Sequence, residues 1–115
     1  TIGNSVTSIG EAAFAYCDIL TSITIGNSVT SIGEGAFFNC SSLTSITIPD
    51  GVTSIGERAF WDCASLTAVT FLGDAPKAGE EVFKSATPTI YRKPDAKGWG
   101  DKWLDKPVKL ISEKP

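Results

Sequence analysis

With 115 residues, 42% of them hydrophobic and 20% charged, the chain is long enough for one packed domain and too apolar for bulk disorder. The formal charge of −3 is unevenly spread: residues 1–71 hold six acids and a single base, Arg58, while residues 72–115 hold seven acids and nine bases. Those bases are interspersed with acids, so no dense cationic stripe exists for nucleic-acid phosphates, and no apolar run nears the roughly 18 residues of a membrane span.

Shifted by 23 residues, the chain overlays itself: TIGNSVTSIGEAAFAYCDILTSI returns as TIGNSVTSIGEGAFFNCSSLTSI and again as TIPDGVTSIGERAFWDCASLTAV. A period of this length signals a stack of identical supersecondary units, none of which buries its apolar face alone. The chain starts at Thr1 without a methionine anywhere, and reads as a piece of a longer array. On that reading Thr1-Ile2 ends a strand, and Val6, Ile9 and Phe14 of the first rung face water or a missing neighbour. Self-association through this open N-terminal end is expected.

Within each unit, Leu20-Thr21-Ser22-Ile23-Thr24-Ile25 has the form L-x-x-L-x-L, with the alternation and β-branching of a short strand. The following apolar positions, Val29, Ile32, Ala36, Cys40 and Leu43, step by three or four, which predicts helical or 3₁₀ turns crossing the back. Ser8…Glu11, Ser31…Glu34 and Ser54…Glu57 have the S-x-x-E spacing of a capping box that opens a helix. The fold expected is therefore an α/β repeat solenoid with parallel strands. Three repeats occupy residues 1–71, and a degenerate fourth, with its last strand at Thr89-Ile90-Tyr91, occupies residues 72–91. Gly79, Glu80, Val82, Phe83 and Ala86 carry the register there, and the last strand falls about two residues early. Residues 92–115, with Trp99 and Trp103 four apart, read as a non-repetitive C-terminal cap.

These residues resemble the BspA-like, or type-5, leucine-rich repeats, most clearly in IPDGVTSIGERAFWDCASLTAV, and the resemblance extends over about residues 1–91. It implies a secreted or surface-displayed bacterial module, similar to adhesins for host matrix proteins or to modules that accompany carbohydrate-active enzymes.

Chemistry is sparse. Without histidine there is no Ser-His or Cys-His pair and no H-E-x-x-H site, and neither phosphate-loop fingerprint is present. Cys17, Cys40 and Cys63 recur one per repeat, the spacing of an inward column and not of a metal-ligand pair. Glu11, Glu34, Glu57 and Glu80 form another column, whose rungs approximate the ~5 Å carboxylate separation of retaining glycosidases, but the capping box explains them without catalysis. No catalytic residue, metal or cofactor is assigned. The outward strand positions Thr21, Ser22, Thr24, Thr44, Ser45, Thr47, Thr67, Ala68 and Thr70 are small, and lack the Trp, Tyr and Arg that carry interface energy.

The variable slots lie beside the Phe–Cys columns, where successive repeats read Ala15, Phe38, Trp61 and Tyr16, Asn39, Asp62. Tyr16, Phe38 and Trp61 would form an aromatic strip with Asn39 and Asp62 as polar neighbours, a ligand-binding arrangement. The bland alternative is that Phe38 and Trp61 pack on a neighbouring loop. The function expected is a non-catalytic extracellular or cell-surface recognition module whose partner is a polysaccharide or a host surface protein. A structural spacer or end-cap without a ligand is the alternative.

Overall fold

The computed structural model describes residues 2–113; Thr1 and residues 114–115 of the expected cap lie outside them. The chain winds as a β-solenoid of about four turns. Each turn contributes one strand to each of two sheets. β1 (Ser8–Ile9), β3 (Ser31–Ile32), β5 (Ser54–Ile55) and β7 (Lys77–Ala78) form a short parallel sheet in that order. β2 (Ser22–Thr24), β4 (Ser45–Ile48), β6 (Ala68–Phe71) and β8 (Thr89–Arg92) stack in a second, which β10 (Lys106–Leu110) and β9 (Lys102–Trp103) extend to six strands.

The repeat sets the register: Ser22 pairs with Ser45 and Ser45 with Ala68, each a step of 23. At the fourth turn Ala68 pairs with Thr89 and Val69 with Ile90, a step of 21. The inward positions then fall into continuous columns. Phe14, Phe37, Phe60 and Phe83 stack ring on ring at 5.3, 5.2 and 5.6 Å. Ile32 and Ile55, Ala36 and Ala59, Cys40 and Cys63, and Leu43 and Leu66 are buried in parallel files beside them. Ile9 is buried as well, Phe14 is half-buried and Val6 is exposed, so the first rung is only partly open to water.

The expected helical turns are not found. Among the described residues there is no α-helix, and the one 3₁₀ turn, Ile111–Glu113, lies beyond the repeats. The fold is therefore all-β where an α/β solenoid was expected. Two local features exclude the helix. First, the capping-box serines are committed to the short sheet in the β-branched Val-Thr-Ser-Ile run, which favours strand. Second, two positions per turn take left-handed backbone: Ala12, Gly35, Arg58 and Glu81 at φ 54° to 60°, and Tyr16, Asn39, Asp62 and Ser85 at φ 57° to 61°. A right-handed helix cannot pass through such residues.

What forms instead is a turned ribbon whose amides alternate between two kinds of partner. The amides of Ala36, Phe38 and Cys40 donate within the rung to the carbonyls of Gly33, Gly35 and Phe37. Those of Gly35, Phe37 and Asn39 donate to Glu57, Ala59 and Trp61 on the next rung at 2.9, 2.8 and 2.7 Å. From the second rung on, the glycine that precedes the ribbon is required by rung-to-rung contact: a Cβ on Gly56 would stand 2.4 Å from the Glu34 amide nitrogen, whereas one on Gly10 would meet nothing.

Beyond β8 the chain makes a parallel pair with β10, in which Val108 faces Ile90, and β9 turns back on β10 as an antiparallel hairpin. Trp99 and Trp103 pack on Phe71 at 4.9 and 5.1 Å, Trp103 meets Phe83 at 6.1 Å, and the Trp99 indole N–H donates to the Gly73 carbonyl at 3.3 Å.

Candidate functional site

The left-handed residues place the candidate site. Left-handed backbone recurs at Tyr16, Asn39 and Asp62, and at this turn Tyr16, itself left-handed, comes together with Phe38 and Trp61, each just before a left-handed residue. Tyr16 and Phe38 stand 5.5 Å apart with rings inclined at 59°, and Phe38 stacks on Trp61 at 5.7 Å with an inclination of 28°. The three rings thus make one strip along the solenoid edge. Tyr16 is 65% exposed, while Phe38 and Trp61 are half-buried. Asn39 and Asp62 occupy the left-handed positions themselves, a conformation that short amide and carboxylate side chains tolerate, and both are half-buried.

Three charged residues that the sequence reading left out complete the arrangement. The Arg58 guanidinium lies 4.9 Å and the Lys84 ammonium 5.1 Å from the Trp61 ring centroid, within cation–π range. Glu81 accepts from Arg58 Nε at 3.1 Å with one oxygen and from Lys84 Nζ at 3.1 Å with the other. Hydrogen bonds from Lys84 and then Arg58 hold the Glu81 carboxyl below its ordinary range. All four sit on the periodic grid: Arg58 and Glu81 are 23 apart, as are Trp61 and Lys84, so the shift that found the repeat also locates them.

A groove of ≈ 200 Å³ runs beside the strip, lined by Glu11, Glu34, Tyr16, Phe38 and Arg58 among others. Two of the column glutamates thus contribute to its rim. They form no capping bond to the serines among the described residues, since those serines lie in strands.

The strand face offers less. The hydroxyls of Thr44 and Thr67 donate to the carbonyls of Thr21 and Thr44 at 3.2 and 3.1 Å, so this part of the threonine column is structural. Thr70, expected to face outward, is only 2% exposed; the two-residue step of β8 pairs it with the bulky Tyr91. The thiols of Cys40 and Cys63 donate to the carbonyls of Phe14 and Phe37 at 3.0 and 3.1 Å, and Cys17 is half-buried. Burial pushes the Cys40 thiol up and the Cys63 thiol up to about 12. Among the described residues no group of three or more His, Cys, Asp or Glu side chains is placed to hold a metal ion, and no helix is long and apolar enough to cross a membrane.

Neither a curated protein nor a solved structure matches the chain. The family model for the BspA type leucine rich repeat region matches six copies across residues 1–92, and with the two-sheet solenoid and its 23-residue register, the chain belongs to the BspA-type leucine-rich repeat family.

Proposed function

We propose that this chain is a non-catalytic recognition module of a larger secreted or cell-surface bacterial protein, and that it binds a protein partner through the Tyr16–Phe38–Trp61 edge. In this reading residues 1–71 are three repeats, residues 72–91 a decayed fourth, and residues 92–115 the cap that closes the last rung.

The observation that carries the reading is the composition of the edge. It gathers Tyr, Trp and Arg, the residues that dominate protein-interface energy, in one contiguous strip, whereas the strand face presents small threonine and serine side chains. Ring orientation favours protein over sugar. Trp61 lies in file between Phe38 one rung before and Lys84 one rung after, so the strip offers edges and cations more than free ring faces. Tyr16 is the exception: its 65% exposure suits a stacked sugar, and Asn39 and Asp62 supply hydroxyl partners, which supports glycan binding as the second reading. A spacer without a ligand is the third.

The test is solid-phase binding to a panel of immobilised extracellular-matrix proteins, with affinity electrophoresis on a panel of polysaccharides alongside. Binding to a matrix protein that falls about tenfold or more in Trp61→Ala, with an unchanged circular dichroism spectrum, supports the first reading. Polysaccharide retardation lost in Tyr16→Ala supports the second. Binding to neither panel overturns the site and leaves the spacer; binding that both variants retain overturns the site and puts recognition elsewhere on the chain.

A further inference from the structure

A row of backbone donors, bordering the charged end of the aromatic strip at Glu81 and Lys84, lies at the far end of the ribbon. At each junction between rungs the same three amides donate to the next rung. Ala12, Phe14 and Tyr16 donate to Glu34, Ala36 and Phe38 at 2.9, 2.7 and 2.7 Å; Arg58, Phe60 and Asp62 donate to Glu80, Val82 and Lys84 at 3.0, 2.9 and 2.8 Å. In the fourth rung the matching donors are Glu81, Phe83 and Ser85. They keep the same backbone, with Glu81 at φ 58° and Ser85 at φ 60°. Among the described residues none of these three amides meets an acceptor. Of the three, Phe83 is only 3% exposed, while Glu81 is half-buried and Ser85 exposed, so the row runs from the interior to the surface and its inner donor is of the kind that structures normally satisfy.

The row opens on the largest groove described, ≈ 530 Å³, whose floor is Glu81, Val82, Phe83 and Lys84 and whose far wall is Leu104, Asp105 and Lys106. That wall is the two-residue turn of the β9–β10 hairpin. Leu104 and Asp105 both adopt left-handed backbone, at φ 53° and 64°, and Leu104 is held 39% exposed. Left-handed backbone at both central residues is the ordinary geometry of a two-residue hairpin turn, and here it stands an apolar side chain at the rim of the groove.

We propose that this edge docks a short peptide segment, which continues the ribbon by backbone addition. Three alternate carbonyls of the peptide accept from the amides of Glu81, Phe83 and Ser85, as Glu80, Val82 and Lys84 accept from the rung below. The central side chain enters the file of Ala36, Ala59 and Val82. It must be small, Gly, Ala or Ser, because Trp103 already covers Phe83 and Leu104 borders the space beyond Val82. A second solenoid cannot stack here, since β10 holds the place beside β8 that its long strand would need. The occupant is therefore a single segment.

The probe is a synthetic peptide based on residues 56–62, whose alternate carbonyls are those the Gly35, Phe37 and Asn39 amides bind within the fold, with glycine in place of its phenylalanine because Trp103 already covers Phe83: Gly-Glu-Arg-Ala-Gly-Trp-Asp. Titrated into the ¹⁵N-labelled full chain, it is expected to give saturable shifts at the amides of Glu81, Phe83, Ser85 and Leu104. Replacing the peptide's central alanine by phenylalanine, or making Leu104→Trp in the protein, is expected to weaken binding by about tenfold or more. An alanine-to-glycine peptide retains it. The proposal is overturned if those amides do not shift at the solubility limit of the peptide. It is equally overturned if the phenylalanine peptide binds as well, if shifts fall on the Tyr16–Trp61 strip instead, or if light scattering shows two chains joined with shifts at both residues 11–15 and 81–85.

Discussion

Phe60→Ala probes the solenoid at its centre. Phe60 is fully buried and sandwiched, 5.2 Å from Phe37 at 1° and 5.6 Å from Phe83 at 17°. Removing a buried phenylalanine costs about 3–5 kcal/mol in transfer and cavity terms, within which the two ring contacts are a part. Against a total of about 5–15 kcal/mol for a domain of this size, the loss is a large fraction. It corresponds to a fall in Tm of roughly 15 °C, at about 4 °C per kcal/mol. Phe14 is the matched control: it sits in the same file but is half-buried and stacks on Phe37 alone. Its alanine variant is expected to lose about half as much or less, since one face already meets solvent. Urea unfolding followed by circular dichroism measures both. Equal losses, or a loss under about 1 kcal/mol for Phe60→Ala, would refute the account of the file as a one-dimensional stack whose inner rungs depend on both neighbours.

Other perturbations follow from the same geometry. Because burial raises the Cys63 thiol to about 12, its contribution is complete below the unfolded thiol's value of 9.0. It is lost as pH rises from there through about 12; Cys63→Ala should flatten that alkaline decline, measured as unfolding free energy against pH. A disulfide reagent added to the folded protein should label Cys17 well before the buried Cys40 and Cys63. Glu81 is depressed from 4.5 mainly by Lys84, so its ion-pair contribution is present above the unfolded value and lost as pH falls through the lower folded one. A carbon-detected NMR titration should show its midpoint rise toward 4.5 in Lys84→Ala. Gly56→Ala forces a Cβ to 2.4 Å from the Glu34 amide and should cost about 1–3 kcal/mol in urea unfolding. Val6, Tyr16 and Ile19, at 37%, 65% and 87% exposure, crowd the first rung, and light scattering at high concentration should show self-association that Ile19→Lys suppresses.

The periodic part of the fold was legible because inward packing imposes one constraint per rung. Val29 and Val52, Phe37 and Phe60, and Cys40 and Cys63 had to recur in step, and the strand at Leu20–Ile25 declared itself by alternation. The ribbon was not legible from the same data. Apolar steps of three or four are shared by a helix and by consecutive turns, so Ala36 and Cys40 satisfied both readings. Two signals separated them: Gly35 with Asn39, and Asp62 one rung on, are residues suited to left-handed backbone at fixed offsets. The serine and glutamate of the capping box misled because the Val-Thr-Ser-Ile run before them is strand-forming. Tyr16, Phe38 and Trp61 were found as variable slots between fixed ones. Arg58, Glu81 and Lys84 are not singled out by the sequence because charges vary freely from repeat to repeat, although their spacing on the 23-residue grid sets them around Trp61.

The central claim is that recognition resides on the ribbon edge and not on the strand face. Its most direct measurement is the affinity of Phe38→Ala and Thr47→Ala, side by side with the wild type, for the immobilised matrix protein that the wild type binds best. Both side chains are accessible on their faces, Phe38 half-buried within the strip and Thr47 exposed on β4. The account predicts a loss of about tenfold or more for Phe38→Ala and none for Thr47→Ala. Loss confined to Thr47→Ala would contradict it and return the site to the strands.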